Sequence, residues 1–174
     1  ILDSSRDDRT TRAAAEGLAR IGTDEALSIL TTEATKARGA QRESSARELA
    51  ILSGMHDARR ETAARFLESR LRDADHATAR IIVKSLGGVG NAWAWKTISD
   101  QTEASATRRI AAKALVEAYV KFTGDVRAQA AKAILVVDDA STPSLIAEAK
   151  KGASHDVAGA LDTLEVRFAK NPAR

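Results

Sequence analysis

A pattern of helical spacing occurs twice in this chain and limits the possible folds more than any other feature. One copy runs from Arg12 to Leu30 and the other from Arg80 to Ile98. Each has an arginine, an apolar stripe, a glycine and a second apolar stripe. Apolar residues three and four apart lie on one face of an α-helix, so each copy predicts two short helices joined at the glycine. A chain that repeats such a unit stacks helix pairs side by side.

The composition favours helices throughout. Hydrophobic residues make up 44% of the chain but aromatic residues only 3%, and alanine, the best helix former, is abundant. The two prolines, Pro143 and Pro172, leave almost the whole length free to be helical. No segment alternates apolar and polar residues over the length of a strand. We therefore predict an all-α fold.

The apolar stripes predict about five helix pairs. The first pair ends near residue 39, and the second joins a helix around 46–52 to one that starts at Asp57. The third runs through 79–86 to a turn at Gly87–Gly90, and its second helix contains Trp95 and Ile98. Each of these pairs should be an antiparallel hairpin with a tight connection.

The spacing changes after residue 115. A long helix should end near Gly124, and another occupies 125–137. That helix is either the second member of pair four, which we favour, or a sign that one repeat has lost its second helix. A short helix should follow with Pro143 in its first turn, where the missing N–H costs nothing. The last helix should begin near His155.

Several segments resemble a known repeat family. The run Val126–Leu135, followed by Asp138-Asp139 and Ser144–Ile146, resembles the short bacterial HEAT repeat that also occurs in phycobilisome lyases. The two copies of the opening pattern resemble it too, and the resemblance covers roughly residues 8–165. It implies a single armadillo-like α-solenoid domain over residues 1–174. The irregular spacing after residue 115 and the lack of clear capping repeats depart from the family pattern.

The resemblance implies a fold more than an activity. Proteins with this pattern are mostly scaffolds that bind other proteins along a curved surface. Some act on cofactors, and a related class of DNA glycosylases holds damaged DNA in the concave face. No residue of this chain is a candidate for cofactor chemistry, so we predict no cofactor.

Arginine recurs at one place in the repeat. Arg12, Arg80 and Arg109 each precede a core leucine by six residues, and Arg127 precedes Ile134 by seven. They could form a ladder for an anionic ligand. Because they recur with the fold pattern itself, we favour a structural role in which each ties neighbouring repeats together through carboxylates or helix ends.

The densest basic segment lies between residues 59 and 72. Glu61 and Glu68 stand four residues before Arg65 and Arg72, which predicts ion pairs on a solvated face. The alternative is a surface that follows phosphates, together with second-helix cations. Those cations are Lys36, Arg38, Lys96, Lys150 and Lys151.

The tryptophans and histidines are the remaining candidates. Trp95 takes the place of a core leucine, so Trp93, two residues away, should be exposed as a binding anchor or packed on a neighbouring helix. Each of the three histidines adjoins an aspartate at a predicted helix start, where aspartate caps free N–H groups. Their spacing does not place two ligands on one helical face, so we predict no metal site.

These observations favour a non-enzymatic protein-binding scaffold. First helices would line one side of the array and second helices the other, and we expect the partner to contact Arg59, Arg60, Trp93 and Lys96 of the second helices. The alternative is a nucleic-acid-binding protein or a DNA-repair glycosylase on the same scaffold. A net charge of +3, from 27 basic and 24 acidic residues, is small for a dedicated nucleic-acid binder.

The cellular compartment stays open. No apolar run reaches transmembrane length, and the absence of cysteine excludes disulfides without locating the protein. The chain begins at Ile1 without a methionine, so we expect a fragment of a longer protein or a processed product. We expect the cytoplasm by default, or the periplasm if a signal peptide has been removed.

Overall fold

A computed structural model describes residues 8–21, 23–36, 42, 44, 57–91 and 101–171 of the 174-residue chain. Within these ranges the fold is all-helical, as predicted, and contains no strand. The helices with described bounds are α1 (Asp8–Ile21), α2 (Asp24–Lys36), α3 (Asp57–Arg72), α4 (His76–Val89), α5 (Gln101–Lys121), α6 (Gly124–Val137), α7 (Thr142–Lys150) and α8 (His155–Ala169).

The helix ends follow local rules. Asp75 caps α4, and its carboxylate accepts a hydrogen bond from the backbone N–H of Thr78 at 2.7 Å, as the aspartate at this predicted helix start indicated. Pro143 lies in the first turn of α7. Gly124 opens α6 with a φ of 60°, a conformation that glycine adopts without strain. Asp138 closes α6 in the left-handed region and donates its N–H to Ile134.

The described helices pack as hairpins. Helix α1 packs on α2, α3 on α4, α5 on α6 and α7 on α8. Between successive hairpins, α3 packs on α5 and α5 on α7, while α4 packs on α6 and α6 on α8. From α3 onward, the first helices of the hairpins therefore form one layer and the second helices form another. We call these the first layer (α3, α5, α7) and the second layer (α4, α6, α8).

The hairpins α3/α4 and α5/α6 repeat each other at one constant shift in sequence. Helices α4 and α6 have equal lengths, and the shift carries His76, the first residue of α4, onto Gly124, the first of α6. We call it the hairpin offset. It differs from the shift of the sequence pattern, which carries Arg12 onto Arg80.

Most buried positions of α3 and α4 have a buried counterpart in α5 and α6 at the hairpin offset. This holds for α4 with α6 and for α3 with α5. The matched buried pairs are Ala63–Ala111, Ala64–Ala112, Leu67–Leu115, Leu71–Tyr119, Ile82–Ala130, Val83–Ala131, Ser85–Ala133, Leu86–Ile134 and Val89–Val137. The same pattern of burial therefore builds both hairpins.

Helices α4 and α6 run parallel and approach closely. At the start of α4, His76 meets Asp125, and near its end Gly87 lies against Ala133. A Cβ at Gly87 would stand 3.0 Å from the Cβ of Ala133, and one at Gly90 would stand 2.9 Å from Val137. The sequence prediction of a turn over residues 87–90 is therefore wrong for Gly87–Val89, which are helical. Gly87 and Gly90 let α6 approach, and only Gly90 ends the helix.

A single apolar core joins the described helices. It includes Leu30 of the first hairpin and Phe168 of the last. The predicted core positions Leu86, Leu115 and Ile134 are fully buried. Phe66 is partly buried and packs against this core. The buried stripe of α3 follows Leu67 and residues three or four away from it.

The helix pairing differs in part from the prediction. Helices α3 and α4 pack against each other, although the sequence assigned them to two different pairs. The helices predicted around 46–52 and 95–98 as their partners lie outside the described residues. The favoured interpretation of 125–137 as the partner of the long preceding helix is confirmed, because α5 and α6 pack together.

Candidate partner-binding surface

The four residues predicted to contact a partner do not form one described surface. Arg60 is only 5% exposed, so its prediction as a contact residue is wrong. It lies on the buried stripe of α3, one turn before Ala63 and Ala64. Arg59 belongs to α3, but its side chain lies outside the described part of the structure, as do Trp93 and Lys96 entirely.

Of the recurring arginines, Arg80 ties two neighbouring hairpins together, as predicted, whereas Arg127 ties the two helices of one hairpin. The Nε of Arg127 donates to the carbonyl oxygens of Tyr119 and Phe122, both at 2.9 Å, and so caps the carboxyl end of α5. Arg80 of α4 lies 3.8 Å from the carboxylate of Asp125 in α6. The side chain of Arg12 lies outside the described residues.

In α5, the arginine that connects two helices is Arg108, the neighbour of the predicted Arg109. Arg108 donates from Nε to the carbonyl of Val137 at 3.1 Å and from its guanidinium to that of Asp138. It thereby holds the start of α5 to the end of α6. Arg109 is exposed and makes no ion pair or hydrogen bond with any described residue. The helical phase could have found Arg108, because it stands one turn before Ala111 and Ala112 on the buried stripe.

On the outer face of the first layer, most charges are paired. The predicted pairs are confirmed, with Arg65 at 2.6 Å from Glu61 and Arg72 at 3.8 Å from Glu68. Lys113 of α5 bridges between helices, 3.8 Å from Glu68 and 3.9 Å from a carboxylate of its own helix. Each exposed pair stabilises little by itself. Together they leave few free charges on this face.

A cleft of about 170 Å³ opens where α3 and α5 end. Leu71, Ala118 and Phe122 form its apolar wall. At the rim, the ammonium of Lys121 donates to the carbonyl of Arg72 at 2.5 Å and lies 5.0 Å from the Phe122 ring. The Lys121 ammonium is therefore already bound within the protein. It connects the α3/α4 hairpin to the α5/α6 hairpin at the rim of the cleft.

The same joint carries a polar contact between α4 and α6. The Nε2 of His76 lies 2.6 Å from a carboxylate oxygen of Asp125, and the His76 ring meets the Phe122 ring edge-on at 6.3 Å. The hydrogen bond to His76 is the main cause that holds the pKa of Asp125 below its ordinary value. Both side chains are more than half exposed, which limits the stability that this contact supplies.

The exposed residues on the outer face of the second layer also repeat at the hairpin offset. On α4 the exposed residues fall one turn apart, and those on α6 stand at the positions matched by the hairpin offset. The matched exposed pairs are Ala77–Asp125, Arg80–Ala128, Lys84–Lys132 and Gly88–Val136. Packed helices lie about 8–10 Å apart, so Lys84 and Lys132 stand side by side. Neither makes an ion pair with any residue that the structure describes.

Helix α8 extends this face with a different charge pattern. Its buried residues repeat the spacing of the buried residues of α6, with Leu161, Leu164 and Phe168 corresponding to Ala130, Ala133 and Val137. In the same alignment, Asp156, Gly159, Thr163 and Arg167 of α8 stand at the positions of the matched exposed residues of α6, and all four are exposed. The row of lysines therefore does not continue onto α8.

Lys150 belongs to the hairpin that α8 forms with α7. It lies 2.7 Å from Asp162 and 2.5 Å from Glu165, and these hydrogen bonds raise its pKa. This lysine, one of those proposed to follow phosphates, therefore clamps α7 to α8.

Metal ligands and membrane-spanning helices are not found in the described part of the chain. Within those residues, no group of three or more histidine or carboxylate side chains could hold a metal ion. In the same part of the chain, no helix is both long and apolar enough to cross a membrane. The chain matches none of the known protein families against which it was compared, and no curated protein has a similar sequence.

Proposed function

We propose that this protein is a non-enzymatic binding module, a short α-solenoid of HEAT-like helix pairs that holds another protein against its second layer. The packing of first helices on first helices and of second helices on second helices supports the repeat interpretation. So does the hairpin offset, at which most buried positions of α3 and α4 have buried counterparts in α5 and α6. Stacked hairpins of this kind present a rigid surface, which lowers the entropy cost of binding.

The difference between the two outer faces carries the proposal. Most described charges on the first layer pair with one another across and along its helices, as Lys113 and Glu68 do, and Arg109 is an exception. On the second layer, Lys84 and Lys132 recur at matched positions without an acidic partner among the described residues. Cations that stay unpaired on adjacent rigid helices are available to a partner.

Site-specific photo-crosslinking in the cell of origin tests this function. A benzophenone amino acid would replace Lys84 or Lys132 in the second layer and, as the matched control, Arg109 or Lys113 in the first layer. We expect the second-layer positions to give recurrent protein adducts, identified by mass spectrometry, above the first-layer background. Adducts that are equal on both faces, or none at all, would contradict the proposal.

Nucleic acid is a second candidate, because Arg80, Lys84 and Lys132 form a local basic patch. For a glycosylase, the cleft beside Phe122 would have to supply the acidic residue. Two acidic residues line this cleft. Glu68 lies 3.8 Å from both Arg72 and Lys113, and Glu117 lies 3.9 Å from Lys113, which weakens that interpretation. Fluorescence anisotropy with labelled duplex DNA, at about 50 mM and about 300 mM salt, tests it. Steeply salt-dependent binding would favour nucleic acid, and no binding at low salt would remove it.

A further inference from the structure

We propose that the outer face of α4 and α6 binds an acidic amphipathic segment of a partner protein, with carboxylates against the lysines and an apolar side chain beside Val136. This inference rests on the proposed function and names the chemistry of its partner. We define the lysine face as Arg80, Lys84 and Gly88 of α4 with Lys132 and Val136 of α6.

The charge of the lysine face is not neutralised by the described residues around it. The nearest acidic group on the outer faces of these two helices is Asp125, at the start of α6. Its carboxylate already contacts His76 at 2.6 Å and Arg80 at 3.8 Å. Lys84 and Lys132 lie two turns further along their helices. In a chain with 27 basic and 24 acidic residues, two matched cations without a described partner make a positive patch that attracts carboxylates.

An exposed apolar side chain lies next to the two lysines. One turn beyond Lys132, Val136 is 44% exposed, although its type is usually buried. At the matching position of α4, Gly88 has open space where a Cβ would stand, so the surface is lowered beside the valine. A partner helix with acidic residues one turn away from an apolar residue fits this arrangement, because positions three and four apart share a helical face.

The pattern favours a protein segment over a nucleic acid. A nucleic-acid surface neutralises several phosphates along a path, commonly about six to ten in stable complexes. The lysine face offers three cations, one of which already contacts Asp125. Asp125 and Asp156 also stand at the amino-terminal ends of the same outer surface, where they would repel a continuous phosphate backbone. A short acidic segment can contact the lysines without approaching Asp125 and Asp156.

Binding of a synthetic peptide to the purified chain tests the proposal directly. The probe is a fluorescein-labelled helical peptide of about 20 residues with glutamate and leucine one turn apart on one face. Its comparison peptide carries glutamine in place of every glutamate. We expect the glutamate peptide to bind at about 50 mM salt and about tenfold more weakly at about 300 mM, because screening removes the attraction between exposed charges.

Two double variants with the same change in net charge separate the lysine face from the rest of the surface. Lys84→Glu with Lys132→Glu should weaken glutamate-peptide binding by about tenfold or more, since attraction becomes repulsion. Arg109→Glu with Lys151→Glu should leave it within about twofold, because these residues lie on the first layer and its end. Circular dichroism would show that both variants keep the helical content of the parent chain.

The outcomes are distinct. The proposal is overturned if the glutamine peptide binds as well as the glutamate peptide, or if the two double variants weaken binding equally. It is also overturned if duplex DNA, but not the glutamate peptide, binds in a manner that requires Lys84 and Lys132. If the peptide fails while second-layer crosslinks to proteins persist, the acidic partner is wrong and the binding function stands. If the crosslinks also fail, both are wrong.

Discussion

The joint between α4 and α6 and the joint between α6 and α8 use different residues for the same task. At the first, Gly87 and Gly90 remove side chains from α4, so that Ala133 and Val137 of α6 come within van der Waals reach of its backbone. At the second, the side chain of Asn171, just after α8, donates to the carbonyl of Leu135 at 2.9 Å. The joint between α4 and α6 depends on positions without side chains, whereas the joint between α6 and α8 depends on a polar side chain. We therefore expect a bulky substitution to affect the first joint more than the second.

The largest expected effect comes from filling the first joint. In Gly87→Leu, the new Cβ would stand 3.0 Å from the Cβ of Ala133, so α4 and α6 would have to separate. We expect the free energy of unfolding to fall by about 2–3 kcal/mol, as for other overpacked helix contacts. Urea denaturation followed by circular dichroism measures it.

Gly88→Leu is the matched control. Nothing lies within 4 Å of a Cβ at Gly88, and leucine favours helix over glycine by up to about 1 kcal/mol, so stability should hold or rise. Adding Ala133→Gly to Gly87→Leu should restore part of the loss. Equal destabilisation by the two leucines would show that close approach is not what holds α4 to α6.

An intermediate effect is expected at the second joint. Asn171 is 8% exposed and donates to the carbonyl of Leu135 and, at 3.3 Å, to the carboxylate of Asp138. Asn171→Ala leaves those acceptors without this donor and should cost about 1–2 kcal/mol in unfolding free energy. Lys170→Ala, one residue earlier and exposed, should change it by less than about 0.5 kcal/mol. A similar loss in both variants would mean that the bridge contributes nothing specific.

The smallest effect concerns the polar contact at the start of α4 and α6. The pKa of Asp125 is lowered in the folded protein, chiefly by its hydrogen bond to His76. A carboxylate of this kind stabilises the fold above its ordinary pKa, and that contribution is lost as the pH falls through the lowered value. The stability advantage of the parent chain over Asp125→Asn should therefore shrink as the pH falls through that range.

Urea unfolding at a series of acidic pH values measures this advantage. Asp156→Asn is the control, because Asp156 occupies the matching first turn of α8 and makes no ion pair with any described residue. It should show a weaker pH dependence. If both asparagine variants lose the same stability at every pH, the effect does not come from the contact between Asp125 and His76. The position of an aspartate at a helix start would then account for it.

Local patterns in the sequence predicted much of the fold. The start of α3 at Asp57, the cap at Asp75 and the proline in the first turn of α7 depend on neighbouring residues. The sequence predicts a turn over Gly87–Gly90, because a glycine that allows close helix approach and one that ends a helix look alike in a sequence. Only the position of α6 distinguishes them.

The candidate surface was harder to predict. The burial of Arg60 and the contacts of Arg108 depend on the phase of a helix, which a local run of charges does not define. The sequence alone does not indicate Lys84 and Lys132 as candidates, because neither stands in a basic run. Their importance depends on the hairpin offset, which emerges from packing of one helix on another. The ion pairs of α3 were predicted correctly because their partners stand one turn apart on the same helix.

The layered stacking of the hairpins has a consequence for how the molecule opens. Helices α7 and α8 pack chiefly on each other and on α5 and α6, so their release need not disturb the contact between α3 and α4. Free energies of local opening should then form a gradient, as in arrays with nearest-neighbour coupling. Amide hydrogen exchange would be fastest in α7 and α8 and slowest around Leu86, Leu115 and Ile134.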